Sequence, residues 1–200
     1  MNRTLTHLVK AGVAAGLAAA VSLPSMAQTP APAAPAAPQA APAPRPSPMA
    51  MARITLGDTY LRFVYSRPMK RGRDNIFGTK EAKALVPYGE VWRLGANEAT
   101  EVTVTRDVLI DGKRLAAGTY SVFAVPTAES WTVHFNSALG LWGSRDYDKA
   151  KDVLVATAKV GTLAEEVEQF TIELAKTEKG ADLIFKWIKT EVRLPVQAAG

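Results

Sequence analysis

Hydrophobic and polar residues alternate with a period of two along most of the chain after residue 50. In residues 60–66, Leu61, Phe63 and Tyr65 alternate with Tyr60, Arg62 and Val64, the signature of a half-buried strand. The same alternation, or a β-branched run, predicts strands over 53–56, 91–94, 100–106, 118–125, 129–136, 153–160, 167–174, 181–188 and 190–196. Residues 108–115 read as a hairpin about Asp111-Gly112, since both turn positions accept positive φ. Gly161 to Ala164 reads as a turn, and 79–84 as one helical turn capped by Thr79. Strands at short spacing with almost no helix predict an all-β domain. The expected architecture is an antiparallel β-sandwich or jelly-roll-like barrel of about ten strands.

Two segments at the start lack this pattern. Arg3 and Lys10 precede an Ala-rich apolar run, 11–23, too short for a membrane span; Pro24 breaks it and Ser25-Met26-Ala27 follows. This order of features predicts a signal peptide over 1–27, cleaved near Ala27, and hence a periplasmic or secreted protein. Residues 28–50 are nearly all Ala and Pro and predict a disordered, semi-rigid tether. The single sandwich domain is then expected over 51–196, with a disordered tail at 197–200.

Charge and composition narrow the functional classes. The formal charge of +5 falls to +3 without Arg3 and Lys10, which gives no basis for nucleic-acid binding. No cysteine is present, so disulfides and thiol chemistry are excluded and the core alone must hold the fold. No pattern points to a metal or other cofactor. His134 is the only histidine after residue 7; on the polar face of its strand it reads as structural or solvent-facing.

Candidate chemistry concentrates in residues 65–100. Arg67, Arg71, Arg73 and Arg93 lie near turns, and guanidinium forks suit carboxylate, phosphate or sulfate groups. They can equally be solvated or paired with Glu90 and Glu98. Trp92 and Trp142 lie in irregular segments, where they can stack on a sugar or plug the end of a sandwich. Trp131 and Trp187 share the apolar phase of their strands and belong to the core. Asn97 suits a tight turn, and Glu98 is either a weak acid/base candidate or the partner of Arg93 or a neighbouring arginine. The expected ligand site is Arg67, Arg73, Trp92, Arg93, Asn97, Glu98 and Trp142. The leading reading is a binding module for a carbohydrate or small anion. The alternatives are a hydrolase using Glu98 as acid/base and an envelope structural or interaction protein without a small ligand.

Longer motifs carry a resemblance. Tyr65-Ser66-Arg67-Pro68, Gly72-Arg73, Ile76-Phe77-Gly78, residues 85–89 (LVPYG), Val91-Trp92-Arg93 and residues 95–100 (GANEAT) recur with 115–120 (LAAGTY), 131–136 (WTVHFN), Trp142-Gly143 and 151–154 (KDVL). Together they resemble an exported bacterial family catalogued as domain of unknown function 2911, over about 53–196. The resemblance implies an exported β-rich domain and brings no catalytic residue, cofactor or partner. Leu94 stands where the family pattern leads one to expect a small polar residue, usually Thr, and 74–84 is longer than usual.

Overall fold

The computed structural model describes residues 45–199. The expected signal peptide and most of the expected tether lie outside the described residues. The order is β1 (Met49–Leu56), β2 (Thr59–Ser66), β3 (Phe77–Gly78), β4 (Val86–Pro87), β5 (Thr100–Val104), β6 (Val108–Ile110), β7 (Lys113–Leu115), β8 (Gly118–Pro126), β9 (Ser130–Asn136), β10 (Asp152–Thr177) and β11 (Gly180–Ala198). Nine of them form one sheet in the order β1-β2-β5-β8-β9-β10-β11-β6-β7, and β3 and β4 form a small parallel pair. The neighbours in the large sheet are all antiparallel, so the predicted all-β class holds. Among the described residues, no helix is long and apolar enough to cross a membrane.

The sheet bends over itself as a β-sandwich because β10 and β11 are long and irregular. The first part of β10 pairs with β9 and the later part with β11. Register shifts fall between Thr162 and Val167 and between Val167 and Thr171, and such bulges bend a strand and raise its twist. The expected turn at Gly161–Ala164 is therefore corrected: the chain continues there as one strand. Residues 181–188 and 190–196 likewise merge into β11, with Ile188 at φ 50° marking the irregularity.

Further corrections concern the boundaries. β1 begins at Met49, inside the stretch expected to be tether, because it pairs along β2 as far as Ser66. The expected disordered tail is also partly strand, since Gln197 and Ala198 pair with Leu109 and Val108. Residues 91–94 are not a strand. Trp92 alone makes a bridge to Ala124, and Leu94 has φ 53°, a left-handed backbone that ends an extended run. Residues 79–84 form a turn rather than a helix, although the Thr79 hydroxyl does accept from the Ala82 amide at 3.3 Å.

The inward phase of each strand meets in one core. Leu61, Phe63 and Tyr65 of β2, Trp131, Val133 and Phe135 of β9, and Leu183, Phe185 and Trp187 of β11 are among its members. The turn between β6 and β7 has Asp111 at φ 51° and Gly112 at φ 73°, as the hairpin reading requires.

Candidate functional site

The expected site residues are divided among three places. The first is a seam. Beyond its pairing with β9, β10 presents a free edge near Phe170 that lies beside the end of β2. Tyr65 accepts from the Ile172 amide at 3.0 Å and donates to the Ile172 carbonyl at 3.4 Å. Arg67 donates through Nε to the Phe170 carbonyl at 3.0 Å and through Nη2 to the Thr171 hydroxyl at 2.7 Å. The Phe170 amide donates to Pro68, and the Lys70 amide to Glu168. Arg67 is thus a structural clamp that stands in for missing ladder bonds. Burial pushes the Tyr65 hydroxyl up from its ordinary pKa, so it stays protonated and serves as both donor and acceptor.

The second place is a cavity of about 200 Å³ that brings Arg73, Trp92 and Arg93 together, with Ser47, Ala96 and Trp187 among its other walls. Gly95 allows the chain to pass close to β2: an added Cβ would stand 2.8 Å from the Ser66 carbonyl. Trp92 is only 6 % exposed. Its Nε1 donates to the Gly95 carbonyl at 3.0 Å, and its ring packs edge-on against Phe170, Trp131 and Phe77. The expected stacking plate is therefore mainly a core residue with one margin on the cavity. Arg73 donates through Nη2 to the Met69 carbonyl at 2.5 Å.

Arg93 differs from the other arginines of the stretch. Its Nε is buried without a hydrogen-bond partner, and no carboxylate lies beside it among the described residues. Burial pulls its guanidinium below the ordinary arginine range. The expectation that Glu98 pairs with Arg93 or a neighbour within 65–100 is corrected by this geometry.

Glu98 lies in the third place and takes a partner from the preceding segment. Arg45 Nη1 donates to Glu98 Oε1 at 2.5 Å, and the Arg45 guanidinium sits 5.8 Å from the centre of the Trp142 ring. Trp142 is 62 % exposed and makes a backbone bridge with Glu98. Asn97 adopts the expected turn backbone at φ 58°. Its side-chain amide donates to the Ser47 carbonyl and the Ser66 hydroxyl, each at 3.3 Å. A second cavity, about 280 Å³, is lined by Glu98, Glu101, Ser66 and Tyr65 among others. Arg45 holds the Glu98 carboxyl below its usual range, the opposite of what a general acid at neutral pH needs.

A family model described as "Protein of unknown function (DUF2911)" matches residues 47–196. The chain belongs to this family. No curated protein and no solved structure matches it. The family match begins at Ser47, so it takes in the end of the segment that meets Asn97 and Glu98. The unusual Leu94 is fully buried in the core, where it serves packing. The long 74–84 segment closes on itself, with Asn75 Nδ2 donating to the Ala82 and Lys83 carbonyls at 3.1 and 2.9 Å.

Two features escaped the reading of the sequence. One is the docking of residues 45–48; its only signal was Arg45, the single charged residue in 28–48. The other lies on the outer face of β8 and β9. His134 Nδ1 is 2.8 Å from Asp152 Oδ2, Tyr147 donates to the same oxygen at 2.7 Å, and Asn136 donates to Asp152 Oδ1 at 2.8 Å. His134 is 7 % exposed, so of its two expected roles the structural one holds. Burial and then the Asp152 hydrogen bond push the Tyr147 hydroxyl well above its ordinary pKa.

Proposed function

We propose that this protein binds a small anionic ligand, carrying a carboxylate, phosphate or sulfate, in the cavity walled by Arg93 and Arg73. The observation that carries this reading is the half-buried Arg93 guanidinium on the cavity wall, whose buried Nε has no hydrogen-bond partner among the described residues. A buried N–H without a partner is costly, and an anion in the cavity would relieve that cost through charge-assisted hydrogen bonds. Arg73 adds a second positive charge to the wall. The carbohydrate form of the expectation has less support, because Trp92 is enclosed in the core and Trp142 does not line this cavity. Arg3, Lys10, the apolar run and Ser25-Met26-Ala27 support export of the protein.

The test is a thermal-shift panel of inorganic phosphate, sulfate and small carboxylates on the wild type and on Arg93→Met. A ligand that binds the folded state raises Tm by mass action. The wild type should respond to at least one anion and Arg93→Met to none. Without ligand, Arg93→Met should be as stable as the wild type or more so, since it removes a half-buried guanidinium whose buried Nε has no partner among the described residues. A panel that leaves the wild-type Tm unchanged, or a shift that survives Arg93→Met, rules the reading out.

A further inference from the structure

We propose that residues 45–48 form a lid over the Arg93 cavity, latched by the Arg45–Glu98 ion pair. Of the four residues Ser47 stands in the cavity wall, and all four are held by contacts to the domain. Arg45 meets Glu98 at 2.5 Å and lies over Trp142. The Pro46 carbonyl accepts from Arg71 Nη2 at 2.7 Å, and the Ser47 carbonyl from Asn97 Nδ2 at 3.3 Å. The Pro48 carbonyl accepts from the Arg67 amide at 2.8 Å, immediately before β1 begins. Ser47 itself is part of the cavity wall beside Arg73 and Arg93.

The composition of this segment suits a moving part. Arg45, Pro46 and Pro48 are exposed, and none of the four belongs to the apolar core. Few apolar contacts and surface hydrogen bonds are the marks of segments that open below the free energy of global unfolding. The two prolines limit the backbone between latch and strand, so release of Arg45 swings a stiff unit about Pro48 rather than unravelling it. The latch pairs two partly exposed side chains, which makes it weak and sensitive to salt. Asn97, Glu98 and Trp142 then have a common role: they hold the lid, and the ligand meets Arg93 and Arg73 beneath it. The lid's purpose rests on the anion-site reading, but its motion is measurable without any ligand.

The experiment follows modification of Arg93 by phenylglyoxal in the full-length chain, mapped by mass spectrometry, in the wild type, Arg45→Ala and Glu98→Gln. Both substitutions lie at the exposed latch, and circular dichroism confirms that the sandwich is intact. Arg93 should react about two- to five-fold faster in each variant, the population shift that loss of an exposed ion pair produces. Raising sodium chloride should accelerate the wild type and leave the variants unchanged. Equal rates in all three proteins overturn the lid. Inorganic phosphate separates the two proposals: faster Arg93 modification with no phosphate binding keeps the lid and removes the phosphate form of the anion reading. Phosphate binding with unchanged modification rates does the reverse.

Discussion

Gly95 shows how one residue sets the cavity. The Ala96 amide donates to the Ser66 carbonyl at 3.2 Å, and this approach leaves no room for a side chain at the preceding position. Gly95→Ala would place Cβ 2.8 Å from that carbonyl. Urea denaturation should register a loss of about 1–3 kcal/mol, the usual range for overpacking, and the Arg93 cavity should deform. Glu98 makes a prediction about pH. Its folded pKa is lowered, first by the Arg45 hydrogen bond, so its contribution is fully present above the ordinary glutamate value of 4.5. That contribution is lost as pH falls through the lowered folded value. The Trp142 indole NMR signal should therefore shift over the acid range as Arg45 leaves, and the shift should be missing in Glu98→Gln. At this scale the chain disclosed which residues were unusual, but not their partners. Arg67, Arg73 and Arg93 look alike in sequence; one clamps a strand, one bonds a nearby carbonyl and one has no hydrogen-bond partner for its buried Nε among the described residues.

At the scale of elements, short hairpins were legible and long strands were not. The β6–β7 turn needs only Asp111 and Gly112, which sit side by side. The continuity of β10 depends on residues far away: β9 supports its start and β11 its remainder. Gly161 and the glutamates after it carry turn-like chemistry, so local propensity reads a break where tertiary pairing imposes a bulge. Residues 137–148 pose the same problem. They cover the outer face of β8 and β9, with Tyr147 packed 4.9 Å from the Phe123 ring, and Asp152 ties them to His134 and Asn136. Asp152→Ala would remove one partner each from the buried His134 and Asn136 and from the half-buried Tyr147. Asn136 keeps the Asp148 carbonyl and Tyr147 can turn to His134, so chemical denaturation should show a loss of about 1–3 kcal/mol, the cost of one unsatisfied buried group. Exposure of the Trp142 segment to hydrogen exchange should rise with it.

In the whole molecule, the central stretch closes the sandwich before it does anything else. The single sheet curls until the end of β2 faces β10, and the Tyr65 and Arg67 side chains with a few backbone bonds after β2, rather than a full ladder, join the two. Tyr65→Phe removes the acceptor of the Ile172 amide, and Arg67→Ala removes both the Phe170 and the Thr171 contacts. Each should cost about 1–3 kcal/mol in denaturation. The double variant should lose a different amount from the sum of the two, because both residues act on one seam. Well-separated pairs should add. An additive pair here would mean that the seam is not a cooperative unit. The chain has no cysteine, so this seam and the aromatic core help keep the sheet closed without disulfides.

The alternation of side chains by itself was enough to specify an all-β domain, the inward residues of most strands and the hairpin turn, because strand periodicity and turn chemistry are local. The long motifs were enough to indicate the family. Which arginine would lack a partner, where β10 would bend and what would latch onto Glu98 were settled only in three dimensions. Each depends on groups brought together across the sheet, as Arg45 meets Glu98 across 53 positions of sequence. No local pattern encodes a pairing at that distance, and the residues nearest in sequence offered an equally plausible partner.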